Sequence, residues 1–456
     1  MEIPTPLAAG RDLVDRIARH SPARLAVTVF AGVVLTVTFL LWTPAATATG
    51  ERPSLITALF TATSAVCVTG LTVVDTATYW SAYGQVVLAV AIKVGGLGVM
   101  TLASILGLAV SRRIGLTQRL LTASETKTNR LGEVGSLIRA VIAASVAIEV
   151  LLALVLFPRF LTLGVPVGRA AWEATFLAIS TFNNAGFVIL PEGMAPYVGD
   201  WWMCLPMIVG TFIGAIGFPV ILNLWQNRYS LHRIALHTKL TLAMSSALVV
   251  IGVLLIGSFE WFNPQTLGSE PVPTRILGSL FAGVMPRSSG FSTIGVGEMR
   301  EATWFLTDAL MFVGGGSAST AGGIKVTTLA VMLLAIIAEA RGDRDIDAFG
   351  RRIDRSTLRL AVAVSFIGAT VVGVATLFLL WMTDLTLDVI LFEVISAFAT
   401  CGLSTGITPA LPDGGKIVLA ALMFFGRTGT MTLAAAIALR SRRRVIRLPE
   451  ERPIIG

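Results

Sequence analysis

Four short stretches of this chain repeat one another, and they restrict its fold more than any other feature. AVCVTGL at Ala65 to Leu71 returns as STFNNAGF at Ser180 to Phe187, PRSSGF at Pro286 to Phe291 and AFATCGL at Ala397 to Leu403. Aligned on Gly70, Gly186, Gly290 and Gly402, the copies lie 116, 104 and 112 residues apart. A unit of about 110 residues is therefore used four times. Ten residues before each glycine stands Phe60, Phe176, Leu280 or Phe392. Six before it, Ser64, Ser180 and Ser396 agree and Val284 is the exception. Four short amphipathic helices, each ending in a glycine turn, imply a ring rather than four separate sites.

The surroundings of these stretches are apolar. Of 456 residues 54% are hydrophobic and 14% charged, and apolar runs of about 20 residues recur, the length a bilayer core demands. This predicts an integral membrane protein of the helical kind. The net charge of +8 is unevenly placed: of 35 lysines and arginines, 25 lie in five segments, at 11–24, 112–139, 228–239, 341–359 and 440–452. Acids such as Asp75, Glu192, Asp200, Glu270 and Asp413 fall between them. Such alternation is the positive-inside pattern of a multi-pass membrane protein with both termini cytoplasmic, and not the footprint of a nucleic-acid binder. Cys67, Cys204 and Cys401 have no metal-ligand spacing. Leu25 to Trp42 with the following TPAATATG has the outline of a signal peptide, but the apolar run is too long for one.

Each repeat reads as a spanning helix, a re-entrant pore helix with its loop, and a second spanning helix (M1-P-M2). The predicted fold is all-α and polytopic, with four such repeats in pseudo-fourfold arrangement around one central pore. Leu25–Trp42, Leu55–Val66 and Ser81–Val110 form the first; Leu137–Phe157, Trp172–Asn183 and Trp201–Trp225 the second. Leu240–Ile256, Arg275–Met285 and Trp304–Ala340 form the third; Leu358–Trp381, Leu387–Phe398 and Ile417–Leu439 the fourth. The resulting division is a cytoplasmic segment 1–24, repeats at 25–111, 137–227, 236–340 and 355–440, and a cytoplasmic tail 441–456. The runs before the glycines are too short to span. Irregular backbone at membrane depth survives only inside protein or against water, so four such loops imply a central aqueous path. Glycine allows carbonyls to turn inward, and rings of carbonyls replace the hydration shell of a cation.

The last helix of the third repeat carries GGGSASTAGGIKVTT from Gly314. Each glycine costs a helix about 1 kcal/mol, so a break is expected there, near the bilayer middle, as a substrate site or gate. A close-packed glycine seam is the bland alternative; a phosphate loop ending in Lys325 lacks the preceding strand. Arg427 lies deep in a spanning helix, where an arginine is expensive and functional by default.

These residues resemble the Trk/Ktr/HKT superfamily of potassium transporters over nearly the whole chain: four filter motifs, the GGGSASTAGGIK loop, and FGRTG at Phe425 to Gly429. The length favours the Ktr branch. The resemblance implies potassium uptake through a filter built from the carbonyls of Val68, Thr69 and Gly70, Asn184, Ala185 and Gly186, Ser288, Ser289 and Gly290, and Thr400, Cys401 and Gly402. It implies that K+ is the ion held by these residues, with sodium coupling left open. Gly314, Gly315, Gly316, Ser317, Ala318, Ser319, Thr320, Ala321, Gly322 and Gly323, with Lys325 after them, match the family's intramembrane gate loop. Arg427 matches an arginine pointing into the pore below the filter. A homodimer on a KtrA-like ring of cytosolic nucleotide-binding regulatory subunits is implied, with ATP/ADP or NAD on that partner and no cofactor on this chain.

Lys93 departs from the family pattern, in which a neutral polar residue precedes GGLG. A lysine near mid-bilayer needs a partner, and Glu149 is the candidate. Lys325 and Asp308 are further buried charges, and Arg287 is expected to brace the third filter strand. A membrane enzyme using Cys67 or Cys401 as nucleophile would lack a general base, because His20, His232 and His237 all lie in cytoplasmic segments. An inverted-repeat transporter would need repeats of opposite topology.

Overall fold

The structure is a computed structural model and describes residues 22–98, 134–230 and 233–439. Its helices follow the predicted order. The first repeat has α1 Pro22–Leu41, α2 Leu55–Val66 and α3 Ala82–Gly96. The second has α4 Val134–Thr162, α5 Val167–Phe182, α6 Trp201–Ile216 and α7 Phe218–Gln226. The third has α8 Leu236–Glu260, α9 Val272–Val284, α10 Glu301–Phe312 and α11 Val326–Arg341. A hairpin of β1 Ile346–Ala348 and β2 Arg351–Ile353 leads into α12 Arg355–Met382, α13 Leu387–Ala399 and α14 Asp413–Leu439. Among the described residues, α8, α12 and the α4 stretch Ile138–Thr162 are long and apolar enough to cross a membrane, and α6 with α7 makes a bent fourth candidate. The continuation of α3 toward Val110 and the basic segment 112–133 lie outside the described residues.

Polar caps start several helices where the chain leaves the aqueous side. Ser54 accepts from the Thr57 N–H at 3.0 Å, Ser81 from Gly84 at 3.2 Å and Asp200 from Met203 at 3.1 Å, each satisfying a donor that the first turn leaves open. The short helices that precede the four motifs, α2, α5, α9 and α13, have 12, 16, 13 and 13 residues. None reaches the length of about 20 that spanning requires, and their inner ends are buried. Phe60, Phe176 and Phe392 are buried in this core and Leu280 is partly so. The outer faces of the long helices carry Leu35, Phe39, Leu154, Leu254, Phe366 and Leu377, all exposed, an apolar girdle that belongs in lipid and not in water.

The repeats interlock in one direction. The helix that follows the short helix of each repeat packs on the short helix of the next: α3 on α5, α6 on α9, α10 on α13, and α14 back on α2. That last contact closes the ring.

One expectation is corrected and another is met. The second repeat's last helix, read as continuous from Trp201 to Trp225, turns by 93° at Gly217. Gly217 has φ +93 and Pro219 follows Phe218; the glycine takes a conformation closed to other residues, and proline offers no N–H to continue the ladder. The third repeat's last helix is interrupted over the whole of residues 313–325, a break in the predicted place and longer than a kink.

Candidate functional site

The four motifs meet at the centre of this ring. A Cβ added to Gly70 would lie 2.6 Å from the carbonyl oxygen of Ala185, one on Gly186 2.7 Å from that of Ser289, and one on Gly290 2.5 Å from that of Cys401. One on Gly402 would overlap the oxygen of Thr69. Each glycine therefore faces the peptide oxygen just before the next glycine, and the order of contacts runs once round through all four repeats.

The backbone repeats as closely. Two residues before each glycine, Val68, Asn184, Ser288 and Thr400 have φ of 57, 58, 78 and 49, and the glycines follow at 98, 71, 69 and 96. A left-handed residue with a Cβ costs about 1–3 kcal/mol and persists only where its surroundings enforce it. The local bonds that do so are shared. The N–H of Thr69, Ala185 and Cys401 donates to the carbonyl of Ser64, Ser180 and Ser396 at 2.8, 2.8 and 2.9 Å. The Ser64 and Ser396 hydroxyls accept from the N–H of Gly70 and Gly402 at 3.1 and 3.0 Å. The third motif differs for a physical reason. Pro286 cannot donate, α9 ends at Val284, and the Ser289 N–H reaches the Met285 carbonyl at 3.1 Å. The odd Val284 belongs to this shortened helix end.

The interrupted segment of the third repeat fills the space beside these strands. The Gly316 N–H donates to the Ala215 carbonyl at 2.7 Å, where α6 has ended and left an acceptor open. The Gly322 N–H donates to Ser288 Oγ at 3.2 Å, and Ser288 Oγ donates to the Thr400 carbonyl at 3.0 Å. The Asn184 amide lies 2.9 Å from Thr320 Oγ1; with its oxygen toward Thr320 it also accepts from the Ala215 N–H at 3.2 Å. Lys325 caps the segment by donating to the Ala321 carbonyl at 2.6 Å. Arg427 is buried and joins the segment to the wall: one guanidinium nitrogen donates to the Thr320 carbonyl and the other to the Gly95 carbonyl at 2.6 Å.

The other charged candidates are also placed. Lys93 and Glu149 form the expected pair, Nζ to Oε1 at 2.7 Å. Arg287 is buried and donates to the Ser245 carbonyl at 2.8 Å and Ser245 Oγ at 3.1 Å, so it braces the third motif against α8. Arg287→Lys is expected to lower stability by about 2 kcal/mol, because a point charge replaces a fork that serves two acceptors; a thermal melt of the purified protein measures it. Asp308 is buried in α10, and Oδ1 has no hydrogen-bond partner among the described residues. Cys67 and Cys401 are buried. Sequence reasoning named Thr320 with its loop but not its partners Asn184 and Arg427, and it missed Ser245 and a second glycine series. A Cβ on Gly95, Gly214 or Gly426 would run into the carbonyl of Val66, Phe182 or Phe398, four residues before the motif glycine each time. The glycines that recur 24 to 28 residues after those three motif glycines were the available signal, Gly95 at 25, Gly214 at 28 and Gly426 at 24 among them.

The sequence profile of the TrkH family, described as cation transport proteins, matches residues 20–444. The chain belongs to this family. It is 37% identical to the Ktr system potassium uptake protein B of Bacillus subtilis, over 98% of this chain and 99% of the relative. It is 33% identical to the potassium/sodium uptake protein NtpJ of Enterococcus hirae, over 96% of this chain and 98% of that protein. The crystal structure of the potassium transporter TrkH from Vibrio parahaemolyticus shares its fold, with a TM-score of 0.68 at 19% identity, covering 90% of this chain and 84% of that one. The expected kinship with the Trk and Ktr proteins holds. This TrkH-family chain is a helical membrane protein of a transport family and not an enzyme.

Proposed function

We propose that the chain takes potassium into the cell through a selective passage along the axis of the ring. The observation that carries this reading is the single closed circuit of the four glycines, each against the next motif's peptide oxygen. Left-handed backbone at alternate positions turns successive carbonyls to one side, the arrangement that replaces water around a dehydrating K+. On this reading Val68, Thr69, Gly70 and their counterparts at 184–186, 288–290 and 400–402 are the filter and hold K+. Gly314 to Gly323 with Lys325 is the gate, and Arg427 is the cationic barrier below the filter. The driving force is the membrane potential, about 2.3 kcal/mol per charge per 100 mV.

The names of the relatives support potassium as the ion, and that of NtpJ keeps sodium in view. The Ktr naming supports a partner system, which we take to be a ring of cytosolic nucleotide-binding subunits, with ATP/ADP or NAD bound there, beneath a homodimer of this chain. Both termini then face the cytoplasm, with the repeats bounded as the sequence predicts. Expression in a bacterium lacking its own potassium uptake, grown on low potassium with and without sodium and a regulatory subunit, tests the reading. Restored growth is expected, and its sodium requirement separates symport from a channel. No growth with the chain present in the membrane overturns the reading.

A further inference from the structure

The Lys93–Glu149 pair does more than neutralise two charges. Glu149 Oε1, which lies 2.7 Å from Lys93 Nζ, also accepts from Asn183 Nδ2 at 2.7 Å. Ser145 joins the cluster, accepting from Lys93 Nζ and donating to the same oxygen at 3.3 Å. Glu149 is buried, and the Lys93 side chain is 21% exposed. Asn183 is the residue that ends α5, and the next residue, Asn184, is the left-handed one, φ 58, of the second motif. On its other side Asn183 fills the space that a side chain on Gly96 of α3 would need.

We propose that Lys93 and Glu149 are positioning residues for the second filter strand, acting through Asn183 on Asn184 and Ala185. The proposal rests on the transport reading above. An ion pair that served stability alone would be complete without Asn183; the third bond to the same oxygen directs the pair toward the filter. A carboxylate acceptor also makes a hydrogen bond about twice as strong as a neutral one, which suits a tie that must hold a strained residue. The charge needs Lys93, because an acid alone at this depth is costly. A tie of the same kind recurs in the third repeat, where Arg287, equally placed before its glycine, is bound to Ser245 of that repeat's first helix. The first and fourth repeats have Cys67 and Ala399 at this position, and neither side chain offers a comparable tie.

The test uses the full chain in the uptake-deficient bacterium, with membrane abundance measured alongside K+ uptake and its competition by Na+. Asn183→Ala cuts the tie and leaves the ion pair whole; abundance is expected to stay near wild type while the K+ over Na+ preference falls about tenfold. Glu149→Gln and Lys93→Gln singly strand a charge, with lower abundance and the same loss of preference in the protein that remains. The double variant, which strands none, is expected to recover most of the abundance. It also recovers part of the preference, because with the Lys93 ammonium gone the glutamine carbonyl at 149 is free to accept from Asn183, whereas in Glu149→Gln alone the stranded lysine competes for it. An unchanged preference in Asn183→Ala overturns the proposal, as does a loss confined to abundance in the charge variants. A wild-type chain that carries no K+ overturns the proposal and the transport reading together.

Discussion

Gly402→Ala is expected to abolish K+ uptake, by about 100-fold or more, in protein that still reaches the membrane. Two costs meet at this position. Gly402 has φ +96, where a residue with a Cβ is strained, and the Cβ itself would overlap the Thr69 carbonyl oxygen and come within 3.0 Å of Gly70 Cα. Backbone strain of this kind costs about 1–3 kcal/mol, which a membrane bundle of this size tolerates. The overlap is different in kind. It is with backbone, which cannot swing aside as a side chain can, so relief requires moving the first motif's oxygen off its place in the ring. Displacement of a working group by about 1 Å costs catalysts on the order of 100-fold, and a carbonyl ring is no more forgiving. Gly50→Ala is the control. It has φ +75 and nothing within 4 Å of its added Cβ, so it should lose about 1 kcal/mol of stability and no flux. Equal uptake by the two variants, measured per molecule in the membrane, would mean that the ring of oxygens is not the ion path.

Arg427→Ala should act in the opposite direction. Arg427 is the one described side chain that holds the interrupted segment by the Thr320 carbonyl while gripping α3 by the Gly95 carbonyl. A hydrogen bond from a charged donor is worth about 1.5–3 kcal/mol. Losing two of them favours an unseated segment by a factor of at least about 10. On the proposed reading the same substitution also removes a positive charge from beneath the filter, which lowers the barrier to a cation further. Rubidium flux into liposomes holding the purified chain, without any regulatory subunit, is expected to rise about tenfold. Flux at or below the wild-type level, with equal reconstitution, would show that the segment is not held shut by this arginine.

What the sequence disclosed, and what it withheld, divides by physical type. Leu55–Val66 was legible to the residue, because an apolar run too short to span, stopped by a glycine turn, has few other meanings. Lys93 and Glu149 were legible as partners because two opposite charges within lipid have no cheaper solution than each other. Arg287 was legible as a brace, yet its partner was not: Ser245 is one hydroxyl among many in apolar helices, and nothing in its flanking residues marks it. Thr320 was legible as part of the interrupted loop, but its contacts with Asn184 and Arg427 were hidden for the same reason. The bend at Gly217 was missed since Gly-Phe-Pro sits inside an apolar run of spanning length. What stabilises that bend is a peptide N–H from Gly316, about 100 residues later, and no local pattern reports a distant donor. The hairpin at Ile346–Ile353 was read only as part of a basic segment. Its turn, Phe349 and Gly350 at φ 50 and 72, is the two-residue left-handed kind that normally advertises itself with asparagine or aspartate before glycine.

Anomalous scattering from crystals of the protein soaked in rubidium puts the central claim to its most direct test. The account predicts electron-rich peaks on the axis of the ring, each within coordinating distance of oxygens from all four motifs, among them those of Thr69, Ala185, Ser289 and Cys401. Peaks lying off that axis, or coordinated by a single repeat, would contradict it.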